Sequence, residues 1–101
     1  QCETNMITKT ADGMVSLSVY MHTGAIGGNA GTWWTAGTIP EGYRPNSTVY
    51  GTGMVCGDGW LNAVPTAFMI SNGLLYLYGQ NSAATMLVIN MTYVAMGSVV
   101  A

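Results

Sequence analysis

The stretch from Pro65 to Gly79, PTAFMISNGLLYLYG, constrains the fold more than any other part of the chain, because two short apolar segments are hinged there on Asn72-Gly73. Asn-Gly sets two residues that tolerate positive φ side by side, and a two-residue turn of that hand matches the right-handed twist of its flanking strands. The stretch therefore reads as a β-hairpin. On its first arm Phe68 and Ile70 share one face while Ala67, Met69 and Ser71 take the other; on its second, Leu75 and Leu77 oppose Leu74, Tyr76 and Tyr78. Both faces are apolar, which predicts a covering layer on each, from this chain or from a neighbouring copy.

The same logic extends along the chain. A polar-rich segment, Thr4 to Thr10, leads into Asp12-Gly13, a second hairpin signal. In Met14 to His22, Val15, Leu17, Val19 and Met21 alternate with Ser16, Ser18, Tyr20 and His22, the pattern of a half-buried strand with a hydroxyl-rich outer face. Thr23 to Thr32 holds four glycines and reads as a loop. Trp33-Trp34 opens another strand, in which one indole should enter the core and the other lie outside it or in an interface. Gly37 to Pro45 is a turn-rich corner. Thr48 to Cys56 is a strand with Gly51 and Gly53 on one face, where another backbone or a ring can come close. Gly57-Asp58-Gly59 turns the chain, Gln80 to Thr85 is a polar loop, and Met86 to Val94 is a last strand, apolar on both sides. About seven strands with no helical periodicity predict an all-β fold, an antiparallel β-sandwich or jelly-roll-like head in a single domain over residues 1–101. Because the chain starts at Gln1, it reads as a fragment of something longer.

Composition narrows the partners. Half of the residues are hydrophobic and only 6% are charged, so much of the apolar exterior is expected to close off in an oligomer. With Lys9 and Arg44 as the two cations and a net charge of −2, no basic stripe exists for nucleic acid or anionic membranes. No aliphatic run approaches the ~20 residues of a membrane-spanning helix, and the eight strands of a small membrane barrel would barely fit. Cys2 and Cys56 allow one disulfide or none, and nothing in their positions demands it. One histidine and no Cys-x-x-Cys leave no metal or cofactor site to expect.

The run Ile39-Pro40-Glu41-Gly42-Tyr43-Arg44-Pro45 carries a resemblance. It is similar to an "apolar, Pro, any, Gly, Tyr, Arg, Pro" corner in C-terminal head domains of bacteriophage tail-fibre and baseplate receptor-binding proteins, above all those of long non-contractile tails infecting Gram-positive bacteria. The order of the segments beyond the corner agrees: a Gly-containing strand at Thr48 to Val55, the hairpin Ile70-Ser71-Asn72-Gly73, and a last strand ending in Thr92-Tyr93. The similarity runs from about Trp33 to Ala95; the unusual number of methionines, eight, and the Gly-rich segment Thr23 to Thr32 depart from the pattern. The resemblance implies a β-sandwich head that forms a homotrimer at the tip of the virion's tail, joined to other tail proteins, and that binds saccharides on the host envelope outside the cell.

An enzyme is not expected. His22, the one imidazole, has no Gly-x-Ser-x-Gly turn to serve, and Glu3, Asp12, Glu41 and Asp58 are too few for a glycosidase pair. Sugar binding asks for less: a flat aromatic face and a few polar groups at its rim. Asp58 and Trp60 are the best such couple, with Trp34 and His22 able to complete a pocket, although a turn aspartate and core tryptophans would also explain these residues. Pro40, Gly42, Tyr43, Arg44 and Pro45 are expected to build the corner, the Tyr43 ring packing under the turn and the Arg44 guanidinium bonding carbonyls. Besides a saccharide-binding head, the sequence leaves open a trimerisation cap without a ligand and an accessory domain of a polysaccharide-degrading tail enzyme.

Overall fold

The computed structural model describes residues 2–26, 31–60, 62–79 and 84–95, and these form an all-β, antiparallel domain. In chain order the strands are β1 (Cys2–Lys9), β2 (Met14–Ile26), β3 (Trp33–Thr38), β4 (Val49–Cys56), β5 (Val64–Ser71), β6 (Leu74–Tyr78) and β7 (Ala84–Val94). All seven belong to one hydrogen-bonded sheet in the order β1-β2-β7-β4-β5-β6-β3. The layers that a sandwich would take from two sheets are here the two flanks of a single curled one. Side chains from both flanks, β1 and β2 on one side and β3, β6 and the corner on the other, line a common cleft of about 220 Å³.

The central hairpin forms as its turn chemistry demands: Asn72 and Gly73 have φ of 52° and 78°, and Ser71 pairs with Leu74 across them. The first hairpin uses a three-residue loop, with Gly13 N–H donating to Thr10 O at 3.0 Å and Gly13 at φ 95°, a tight turn followed by one left-handed residue. The polar-rich segment before that turn is the hairpin's first arm, strand β1, which starts earlier than Thr4 and pairs with β2 from Lys9↔Val15 to Cys2↔Met21.

Residues Thr23 to Ile26, expected in a loop, continue β2 instead, and Ile26 pairs with Ala84 and is buried. A long partner strand explains this, because β7 reaches back to Ala84 and offers Ile26 both a ladder and the core. Residues 27–30 and 80–83 of the two expected loops lie outside the described residues.

One face of the sheet carries the core: Val15, Leu17 and Val19 of β2, Phe68 and Ile70 of β5, Leu75 and Leu77 of β6, and Leu87 and Ile89 of β7. Each such side chain contributes roughly 1.5–3 kcal/mol on burial. Gly53 makes the closest packing possible, since a Cβ there would stand 2.5 Å from Phe68 Cε1 and 2.5 Å from Val88 O. The close approach anticipated at this glycine is the ring of Phe68.

The opposite face of the hairpin is only partly covered within the chain: Met69, Leu74 and Tyr76 are half-buried and Tyr78 is exposed. The Trp33-Trp34 pair divides as alternation requires. Trp34 packs against the core, while Trp33 stays exposed and meets the edge of Tyr78 with ring centroids 5.0 Å apart.

The corner ties three distant parts of the chain together. Ile39 N–H donates to Gly73 O at 2.8 Å and Arg44 Nε donates to Ile39 O at 2.7 Å, which locks the corner to the hairpin tip. Tyr93 Oη donates to Tyr43 O at 2.7 Å, and Pro45 bridges to Ala95, which locks it to the last strand. Lys9 Nζ donates to Gly42 O at 2.6 Å and sits 5.1 Å from the centre of the Tyr43 ring, which brings in the end of β1. Gly42 takes φ of 89°, Pro40 lies exposed at the bend, and Tyr43 packs against the core.

Candidate functional site

On the sheet face turned away from the core, strand register sets Tyr20 beside Val88 and Met54, and His22 beside Met86 and Cys56. At the end of β4 the chain turns through Gly57 to Trp60, with Trp60 N–H donating to Gly57 O at 3.1 Å. Because β7 lies between β4 and β2, this turn must cross β7 to reach β2, and it does. The Trp60 indole stacks on Tyr20 with centroids 5.7 Å apart and planes 16° from parallel. Beneath the crossing, Met86 and Cys56 are buried although they point away from the main core.

Asp58 pins the turn in place. Its Oδ1 accepts from Thr85 Oγ1 at 2.7 Å and from His22 Nε2 at 2.8 Å. Those two bonds, Thr85 first and His22 second, hold the carboxyl below the usual carboxylate range, so it is ionised at neutral pH. The Asp58 side chain is nonetheless 77% exposed, and Oδ2 has no hydrogen bond among the described residues.

Two backbone conformations carry the geometry. Gly59 has φ of 71°, as a glycine readily does, and Trp60 has φ of 66°, which is rare for so large a residue. A left-handed tryptophan costs of order 1–2 kcal/mol, and what offsets it here is the stack on Tyr20. Trp60 remains 52% exposed, with its indole stacked on Tyr20.

Of the residues that the sequence pointed to, Asp58, Trp60 and His22 therefore meet in one place. Trp34 does not join them. It belongs to β3 at the far edge of the sheet, pairs with Leu77 and is half-buried against the core, because its parity on the strand turns it inward. Tyr20 and Thr85 complete the group and were not singled out. Tyr20 could have been, since it stands two residues before His22 on the same outer face; Thr85 becomes visible only through the pairing of β2 with β7.

Cys56 is a free, buried thiol whose pKa burial pushes up; the Cys2 side chain lies outside the described residues. No group of three or more His, Cys, Asp or Glu side chains among the described residues could hold a metal ion, and no helix among them is long and apolar enough to cross a membrane.

A half-exposed indole two residues along the turn from an anchored carboxylate suits a ligand with one apolar flat side and hydroxyls at its rim. Comparison of the chain with protein-family models, with curated proteins and with solved structures finds no match. The class defined by the fold is an all-β antiparallel domain of seven strands, with this aromatic and carboxylate group on its outer face.

Proposed function

We propose that this chain is the receptor-binding head domain of a bacteriophage tail-fibre or baseplate protein, which attaches without catalysis to a saccharide of the host cell surface and acts as a homotrimer at the tail tip. The observation that carries the reading is the Trp60 indole, half exposed on Tyr20, on the same short turn as Asp58, whose Oδ1 is anchored and whose Oδ2 has no hydrogen bond among the described residues. A pyranose ring would stack on the half-exposed indole while its hydroxyls donate to the carboxylate. The meeting of corner, hairpin tip and Tyr93 is further support, since the three segments that carry the family resemblance form one bonded unit. Each site would bind weakly, and three on a trimer raise the effective concentration.

Self-association has its own support. Met6, Met14, Trp33 and Tyr78 are all exposed, on a chain with few charges to keep such a surface in water. The same observation favours a second reading, a trimerisation cap that binds no ligand. Glycan-array binding separates the two. A saccharide-binding head loses its array signal in Trp60→Ala with its size in ultracentrifugation unchanged; a cap shows a stable trimer and no signal. A monomer at micromolar concentration would remove the trimer from both readings.

A further inference from the structure

The ladder between β4 and β7 stops halfway. It joins Gly53 to Cys56 with Met86 to Ile89, four pairs, whereas β4 continues alongside β5 back to Val49 and β7 continues alongside β2 to Val94. Past Gly53 the two strands diverge, and they are joined again only where Pro45 bridges to Ala95. The result is a window in the sheet, closed along the strands at both ends, and the open depression at its Pro45–Ala95 end has a volume of about 960 Å³. That is near the upper end of the range of small-molecule sites.

Met91 and Tyr93, both buried, form its floor. Met91 fits there because Gly51 has no side chain: a Cβ on Gly51 would lie 3.1 Å from Met91 Cε. At the mouth stand Tyr50, 70% exposed, with Asn46, Ser47 and Thr92, all exposed.

We infer that this window is a binding site for a neutral saccharide, separate from the group around Trp60. Three features select that class. The facing edges of Val49–Thr52 and Asn90–Val94 present amides and carbonyls with no ladder partner among the described residues. Such a mixed row is matched by hydroxyls, each of which both donates and accepts. Tyr50 offers a ring for the apolar face of a sugar. No Lys, Arg, His, Asp or Glu lines the window, so nothing in it would offset the desolvation of a charged ligand.

An inserted peptide strand fits less well. The opening spans only about four residues, is shut at both ends, and has antiparallel walls, so one strand could not pair in the same sense with both.

The inference rests on the saccharide reading of function but not on the Trp60 site, and a microarray of neutral and acidic oligosaccharides distinguishes the two. The probes are the whole chain and its Tyr50→Ala, Thr92→Val and Trp60→Ala variants, with far-UV circular dichroism to verify folding. Tyr50→Ala is expected to lower binding to a set of neutral glycans about tenfold, the upper range for loss of one aromatic contact. Thr92→Val should weaken the same set, and Trp60→Ala should retain it. If Tyr50→Ala and Thr92→Val bind like the wild type while Trp60→Ala loses signal, the window is not a site and the proposed function stands. A preference of the window variants' lost set for acidic glycans also overturns the inference. Absence of any array signal from the wild type overturns both.

Discussion

The side chain of Arg44 lies across Gly73, so close that a Cβ on that glycine would stand 2.7 Å from both Nε and Cζ. The arginine of the corner and the glycine of the hairpin turn are thus one contact, separated by 29 positions in sequence. Glycine is required twice at this point, for a φ of 78° and for the guanidinium above it. Arg44 in turn is held by Ile39 O, while Ile39 N–H donates to Gly73 O.

Gly73→Ala should therefore destabilise the fold by more than the roughly 1–2 kcal/mol of a left-handed alanine. In an Arg44→Ala background the penalty should fall back to that range, with a coupling above about 0.5 kcal/mol in a urea double-mutant cycle. Strict additivity of the two changes would mean that the guanidinium does not rest on the turn.

Gly53 and Gly51 sit two residues apart on the same face of β4 and should respond differently. At Gly53 a methyl meets a packed ring and a backbone carbonyl, neither of which can move far, so Gly53→Ala should cost about 3 kcal/mol or more. At Gly51 it meets the flexible side chain of Met91 from Cγ to Cε at 3.1–3.4 Å, which need give by only a few tenths of an ångström, and the cost should stay near or below about 1 kcal/mol. Thermal unfolding of the two variants decides this; equal shifts in Tm would contradict the contrast.

Acid should release the turn that carries Trp60. The folded-state pKa of Asp58 is depressed, so the contribution of its two bonds is complete above the ordinary carboxylate pKa of 3.8 and is lost as pH falls through the lower folded value. Near-UV circular dichroism of the Trp60 and Tyr20 stack should hold its neutral-pH signal down to about pH 4 and collapse below it. Asp58→Ala should show the collapsed signal already at neutral pH. An unchanged spectrum in that variant would show that the carboxylate does not hold the turn.

Tyr93 gives the opposite pH signature. Burial pushes its pKa up to about 12 from 10.0, so the folded state keeps the proton longer than the unfolded chain. Its contribution is complete below the unfolded value and is lost as pH rises from about 10 to about 12. Tyr93→Phe should be less stable at neutral pH, lacking the bond to Tyr43 O, and should lose less additional stability across that alkaline range. Denaturant midpoints at pH 9 and pH 11.5 for the two proteins measure the difference, and parallel losses would contradict it.

Much of the strand plan was legible because its signals are local. Asn72-Gly73 dictates a two-residue turn, alternation in Met14 to His22 dictates which residues face inward, and adjacency of Trp33 and Trp34 sends one indole to each side. The candidate site was half legible: Asp58 and Trp60 are neighbours around a glycine, and His22 is the single imidazole. Trp34 does not join it, because its parity on β3 turns the indole to the core while Asp58, Trp60 and His22 meet on the outer face.

What the sequence by itself determined is the set of strands, their inward faces and their tight turns, all of which arise from side-chain alternation and φ preferences within a few residues. The tertiary structure decided that the strands form one curled sheet, that β7 lies between β2 and β4, that the Trp60 turn crosses it, and that β4 and β7 part into a window. Those features depend on register between strands distant in the chain, as between Tyr20 and Val88. Such a register is chosen by the joint packing of the whole core, to which no single stretch of sequence holds the key.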